Sequence, residues 1–147
     1  MSKNIIFTIG FTKKNAKTFF SKLRDAGVTK LIDVRLNNVS QLAGFAKRDD
    51  LIFFLKELCT CDYTHIPDFA PTKEILDAYK KKEIDWAGYK SRFNNLIKKR
   101  KIETMISEGD LNNSCLLCSE HTPEQCHRRL VAEYLKNIFG NIEIKHL

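Results

Sequence analysis

The sequence predicts an α/β fold: an open, mainly parallel sheet of about five strands with helices on both faces, a Rossmann-like three-layer arrangement. Three observations lead there. Short apolar runs alternate along the chain with segments of helical period. The runs are nearly continuous, as in Ile5-Ile6-Phe7 and Leu116-Leu117-Cys118, which suits strands covered on both faces. The stretch from Asn113 to Tyr134 passes from one such run through a short polar loop into a helix, a junction that in open α/β sheets faces the ligand crevice.

Asn4 to Ile9 is the first expected strand, followed by Gly10, a residue that lets backbone approach closely or turn sharply. Asn15 to Ala26 reads as a helix, with Ala16, Phe19, Phe20 and Leu23 inward and Gly27 as its C-cap. Lys30 to Val34 is the second strand. Alternation puts Asp33 and Arg35 on one side at its C-terminal end, either as an ion pair shaping the loop or as an arginine oriented toward an anion. Leu36 to Lys47 lacks periodicity and is long for a connection, which favours a functional loop from which Lys47 and Arg48 could reach an anion. Asp49 or Asp50 can cap a helix running to Leu58.

A third strand is expected near Tyr63-Thr64-His65-Ile66, with His65 able to point into the crevice. Two helices follow, Lys73 to Lys82 and Trp86 to Ser107, the second with a break allowed. They are rich in lysine, asparagine and aromatic residues and read as a lid, a partner surface or a solvated face. In the Asn113–Tyr134 stretch, Thr122 is the expected N-cap, Pro123 the first helical residue and Gln125 the capping-box partner. At about 100° per residue, Leu130, Val131, Tyr134 and Ile138 form an apolar stripe with His127 in its middle and Arg128 at its flank. Ile142 to Leu147 reads as a final edge strand with one wet face.

Composition sets outer bounds. The chain has 147 residues, with 43% hydrophobic and 29% charged, the size and balance of one globular domain. No apolar run is long enough for a membrane span and Met1-Ser2-Lys3-Asn4 is unlike a signal peptide, so no membrane partner is expected. Five cysteines without framework spacing suggest free thiols in a cytoplasmic protein. The net charge of +7 favours polyanionic partners, although the runs at 80–82 and 98–101 supply seven of the 25 basic residues and suit solvated helix faces. There is no G-x-G-x-x-G and no Walker A pattern, and no cofactor is expected. The oligomeric state is left open.

The candidate site gathers the residues at the strand ends. Asp33, His65, Cys118 and His127 are the candidate catalytic groups, and Gly10, Arg35, Lys47, Glu120 and Arg128 the candidate substrate-binding groups. Cys118 is either a small buried hydrophobe or a thiolate favoured by a helix N-terminus; lying where the strand runs out, it is expected to be exposed enough to react while Cys115 is not. A phosphatase-type C-x5-R loop is disfavoured because position 124 is Glu124. A zinc site from Cys115, Cys118, Cys126 and His127 is opposed by strand alternation, which sends Cys115 and Cys118 to opposite faces, so no metal is expected. The ligand implied is a phosphate-bearing small molecule, such as a nucleotide, or nucleic acid. The alternative is a non-catalytic nucleic-acid-binding or protein-interaction module.

The chain also resembles the DUF488 family of small prokaryotic α/β proteins. The resemblance rests on Ile9-Gly10-Phe11-Thr12, Asp33-Val34-Arg35, Ser40, Gly44-Phe45 with Lys47, Tyr63-Thr64-His65-Ile66-Pro67, Cys118-Ser119-Glu120, Pro123, and Cys126-His127-Arg128-Arg129-Leu130-Val131-Ala132. Asn38, Gln41 and Phe69-Ala70 depart from the proline, arginine and leucine-glycine frequent in the family. The family carries no assigned activity, so the resemblance implies a fold and a site rather than a reaction.

Overall fold

The computed structural model describes residues 3–39, 44–120 and 123–147. In chain order the elements are β1 (Asn4–Gly10), α1 (Ala16–Ala26), β2 (Lys30–Asp33), α2 (Arg48–Cys59), β3 (Asp62–His65), α3 (Lys73–Lys80), α4 (Trp86–Arg100), α5 (Glu108–Leu111), β4 (Ser114–Cys118), α6 (His127–Phe139) and β5 (Ile142–His146). The five strands form one open sheet in the order β3-β2-β4-β1-β5, with every neighbouring pair parallel. No helix among the described residues is long and apolar enough to cross a membrane.

Strand alternation sorts the core into two layers. Ile6, Ile32, Val34, Leu116 and Cys118 face one side, against Ile75 of α3, Phe93 and Ile97 of α4, and Leu130, Val131 and Leu135 of α6. Phe7, Ile9, Leu31, Cys115 and Leu117 face the other, against Phe19, Phe20 and Leu23 of α1 and Leu51 and Leu55 of α2. The sheet is therefore covered on both faces, which explains the continuous apolar runs of its inner strands. β5 lies at the sheet edge with only Ile142 fully buried, as its alternation implies.

The crossovers decide where a crevice opens. The helices after β1 and β2 pack on one layer, and those after β3 and β4 on the other. β4 sits between β2 and β1, so chains leaving neighbouring strands part to opposite faces at their C-terminal ends. That divergence is the switch point at which open α/β sheets bind ligands.

Several local expectations need correction. Ala16 is exposed, because α1 buries only Phe19, Phe20 and Leu23. Asp49 and Asp50 lie in the first turn of α2, where they face the positive helix end; Lys47 is the N-cap and makes no side-chain cap bond. The helix expected from Trp86 to Ser107, with a break allowed, is broken at Arg100, where Lys101 turns left-handed (φ 54°), and a short turn and α5 complete the connection. α6 begins at His127, not at Pro123, because Cys126 is extended (φ −135°, ψ 139°). The buried face of α6 includes Arg128, Ala132 and Leu135, while Ile138 is exposed. Thr122, Ser40 and Gln41 lie outside the described residues.

Candidate functional site

At the C-terminal end of β2 the backbone hands over to a buried ion pair. Asp33 Oδ1 accepts from Arg35 Nε at 2.8 Å and Oδ2 from Nη2 at 2.7 Å. The two side chains are 0% and 4% exposed. The carboxylate also accepts the Arg35 backbone N–H at 3.1 Å and the Tyr63 hydroxyl at 2.6 Å, and Asn38 donates to that hydroxyl at 3.0 Å. Burial and the adjacent carboxylate push the Tyr63 hydroxyl well above its usual pKa, so it remains a donor. Phe11 lies beneath the guanidinium, 5.5 Å from ring centroid to Cζ. The fork is thus fixed on three sides. Among the described residues, Nη1 has no hydrogen-bond partner.

Two histidines brace the same turn. His127 Nε2 donates to the Val34 carbonyl at 2.6 Å, and His65 Nε2 donates to the next carbonyl, Arg35, also at 2.6 Å. A carbonyl can only accept, so each histidine carries its proton on Nε2. Phe93 meets the His127 ring edge-on at 5.6 Å. Burial, opposed in part by the Val34 bond, lowers the His127 pKa to about 4. His127 is therefore neutral at physiological pH, with its Nδ1 lone pair unprotonated.

The end of β4 supplies the third wall. Cys118 is 1% exposed and joined to Cys126, whose Cα lies 7.7 Å away. Arg128 is fully buried, and its Nη1 donates to the Glu120 carbonyl at 2.7 Å and to Cys118 Sγ at 3.3 Å. Gly10 lies directly under this loop. A Cβ there would stand 1.5 Å from the Glu120 carbonyl oxygen and 2.9 Å from Arg128 Nη1. The closeness expected at Gly10 thus serves the β4–α6 loop.

These walls enclose a cleft of about 640 Å³ at the switch point, within the size range of small-molecule sites. Arg35, Cys118, Glu120 and His127 line it together. Asp33 and His65 act from behind, through Arg35. Arg128 lies beneath the β4–α6 loop, and neither it nor Lys47, which is exposed at the start of α2, lines the cleft. Expected together at one concave site were Arg35, His65, Cys118, His127 and Arg128; three of the five line it. The expected exposure of Cys118 is overturned: it is 1% exposed and joined to Cys126.

The opposite wall is α3, one of the two helices read from the sequence as a lid, a partner surface or a solvated face. Lys73, Asp77, Tyr79 and Lys80 face the cleft from there, and the Tyr79 hydroxyl donates to Gln125 Oε1 at 2.9 Å, closing one end. Thr72 sets that helix by accepting from the Ile75 N–H at 3.2 Å. The signal available was the spacing Leu76–Tyr79–Lys80, which shares one helix face, but nothing local says that this face overhangs the strand ends.

Comparison with known proteins gives one decisive match. The sequence model of a domain of unknown function, DUF488, matches residues 15–135. The chain belongs to the DUF488 family. No curated protein matches, and no solved structure does. The matched span of this DUF488 chain contains the Asp33–Arg35 pair, His65, the β4–α6 loop and the Cys126-His127-Arg128 segment.

Proposed function

We propose that the cleft binds a phosphate-bearing ligand, a nucleotide or the end of a nucleic acid, with Arg35 as the central contact. One observation carries this reading: Arg35 Nη1 is buried in the cleft wall without a hydrogen-bond partner among the described residues, while Asp33 occupies the other two nitrogens. A desolvated, oriented N–H of a guanidinium is the donor that a phosphate oxygen satisfies best. Lys73 and Lys80 add mobile positive charge at the rim, and Asp77, Glu120 and Ser119 offer groups for the uncharged part of a ligand. Within this reading Asp33, Tyr63 and His65 are positioning residues. Of the four candidate catalytic residues, His127 and Cys118 are the two that line the cleft. The net charge of +7 favours the same class of ligand through long-range attraction.

The test is calorimetry and thermal shift with nucleoside mono- and diphosphates, inorganic phosphate and the uncharged nucleoside. Phosphate-bearing ligands should stabilise the wild type and the nucleoside should not. Lys73→Ala/Lys80→Ala changes two exposed side chains and should weaken binding about tenfold with the fold intact. A wild type that responds to none of these ligands sinks the reading. Nucleic-acid binding that falls steeply with salt and ignores a nucleotide competitor would instead favour a surface-driven binding module.

A further inference from the structure

We propose that reduced Cys118 and Cys126, together with His127, form a three-ligand zinc site whose fourth position opens into the cleft. The two sulfurs and a ring nitrogen of His127 lie within 4.8 Å of one another, a convergence from the end of β4, the N-cap of α6 and the first residue of α6. Ligand atoms around tetrahedral zinc, at about 2.3 Å for sulfur, stand roughly 3.8 Å apart, inside the 4.8 Å limit within which these three atoms fall.

Three further features fit a metal. The Cα atoms of Cys118 and Cys126 are 7.7 Å apart, beyond the usual disulfide span of about 4.4–6.8 Å, and suited to two thiolates bridged through an ion. His127 donates Nε2–H to the Val34 carbonyl, the outer contact that metal-binding histidines make, which leaves Nδ1 as the ligating nitrogen. Arg128 donates to Cys118 Sγ, which favours a thiolate there, and Cys126 is the N-cap residue of α6, beside the positive helix end although its side chain makes no cap bond.

Cys115, the fourth residue weighed from the sequence, faces the α1–α2 layer and takes no part. That leaves two thiolates and one imidazole, the ligand count of zinc sites that keep a position for water or substrate. The open position lies toward the cleft, because all three residues line it beside Ser119 and Glu120. The joined pair is the oxidised, metal-free form. A thiol or phosphine reductant supplies two electrons, two protons complete the two thiols, and zinc displaces both protons on binding.

The experiment uses the full chain, fully reduced with a non-chelating phosphine in phosphate-free buffer, so its outcome is independent of the anion reading. Zn²⁺ alone is titrated against a chromophoric chelator, and Co²⁺ replaces it for spectroscopy. One equivalent of Zn²⁺ should bind, and Co²⁺ should show thiolate charge-transfer absorption with tetrahedral ligand-field bands. Cys118→Ser and Cys126→Ser should each weaken binding by more than about 100-fold, beyond the cost of losing an outer-shell partner. Cys59→Ser should bind as wild type does. Substoichiometric Zn²⁺ binding by reduced wild type overturns the site, as does bound Co²⁺ without thiolate charge transfer, a readout that needs no variant to fold. Undiminished binding by Cys126→Ser would overturn it too.

Discussion

Asp33 grips Arg35 from two residues away through a pair of parallel hydrogen bonds, with the carboxylate fully buried and the guanidinium almost so. The carboxylate also accepts the Arg35 N–H and the Tyr63 hydroxyl, so its own demands are met inside the protein. The guanidinium is the partner with unspent capacity.

Removing either charge leaves the other buried and uncompensated. Arg35→Ala should therefore cost about 3–5 kcal/mol, and Asp33→Ala a similar amount. Urea denaturation at neutral pH measures this, and a loss below about 1 kcal/mol would show that water reaches the pair. Arg35→Ala is consequently a poor probe of ligand binding alone, which is why exposed lysines at the rim serve better. Tyr63→Phe should cost about 1.5–3 kcal/mol, since it deletes a hydrogen bond to a charged group.

Gly10→Ala tests the packing of the β4–α6 loop. The added carbon would stand 1.5 Å from a backbone oxygen, which cannot swing aside as a side chain tip can. Either β1 or the Glu120 segment must shift, at about 3 kcal/mol, the upper end of ordinary overpacking. Gly10→Ala should lower the thermal midpoint and loosen the loop in hydrogen exchange. An unchanged midpoint would show that the loop has a second resting place.

What could be read from the sequence follows from what is local. Period-two alternation places Asp33 and Arg35 together and separates Cys115 from Cys118, and both placements hold. The helix-start signal at 122–125 misleads because Cys126 N–H closes a turn onto the Pro123 carbonyl at 3.3 Å before α6 begins. A propensity pattern cannot weigh that turn against the extended Cys126 that lets its sulfur reach Cys118. Arg128 reads as a flanking residue by helical phase, and is core because it packs under the Glu120 carbonyl, a contact made outside the helix. Lys73, Tyr79 and Lys80 belong to the cleft only because α3 crosses the strand ends, a long-range relation with no local signature.

His146 provides a pH-dependent readout at the sheet edge. Its Nδ1 and Thr8 Oγ1 are 2.5 Å apart, and partial burial of the ring of this otherwise exposed residue, with Arg128 nearby, lowers its pKa from the ordinary 6.5. A histidine whose pKa is lowered by folding binds its proton more readily when unfolded. Its contribution is therefore complete above about pH 6.5 and is lost as pH falls through the folded value. Ring-proton NMR should show His146 titrating below 6.5, and His146→Gln should blunt part of the stability loss between neutral and mildly acidic pH. Titration at or above 6.5 would mean that the ring leaves Thr8 in solution.

The cysteines should react in an order set by burial, not by distance from the strand end. Cys59 is only half-buried, and burial raises its thiol pKa while Arg24 opposes the rise. Cys61 is buried and pushed up to about 12, and Cys115 is fully enclosed with its pKa well above the ordinary value. Cys118 and Cys126 are joined to each other. Native protein without reductant should therefore be alkylated at Cys59 alone, slowly, because little of it is thiolate near neutral pH. Cys61 and Cys115 should wait for global unfolding, and Cys118 and Cys126 for reduction. Timed alkylation with mass spectrometry of each cysteine peptide resolves all five. Modification of Cys115 at the rate of Cys59 would mean that the layer between β4 and α1 opens in the native state. Rapid modification of Cys118 without reductant would mean that the pair is open and that its sulfur, beside the Arg128 guanidinium, faces the cleft as a free thiolate.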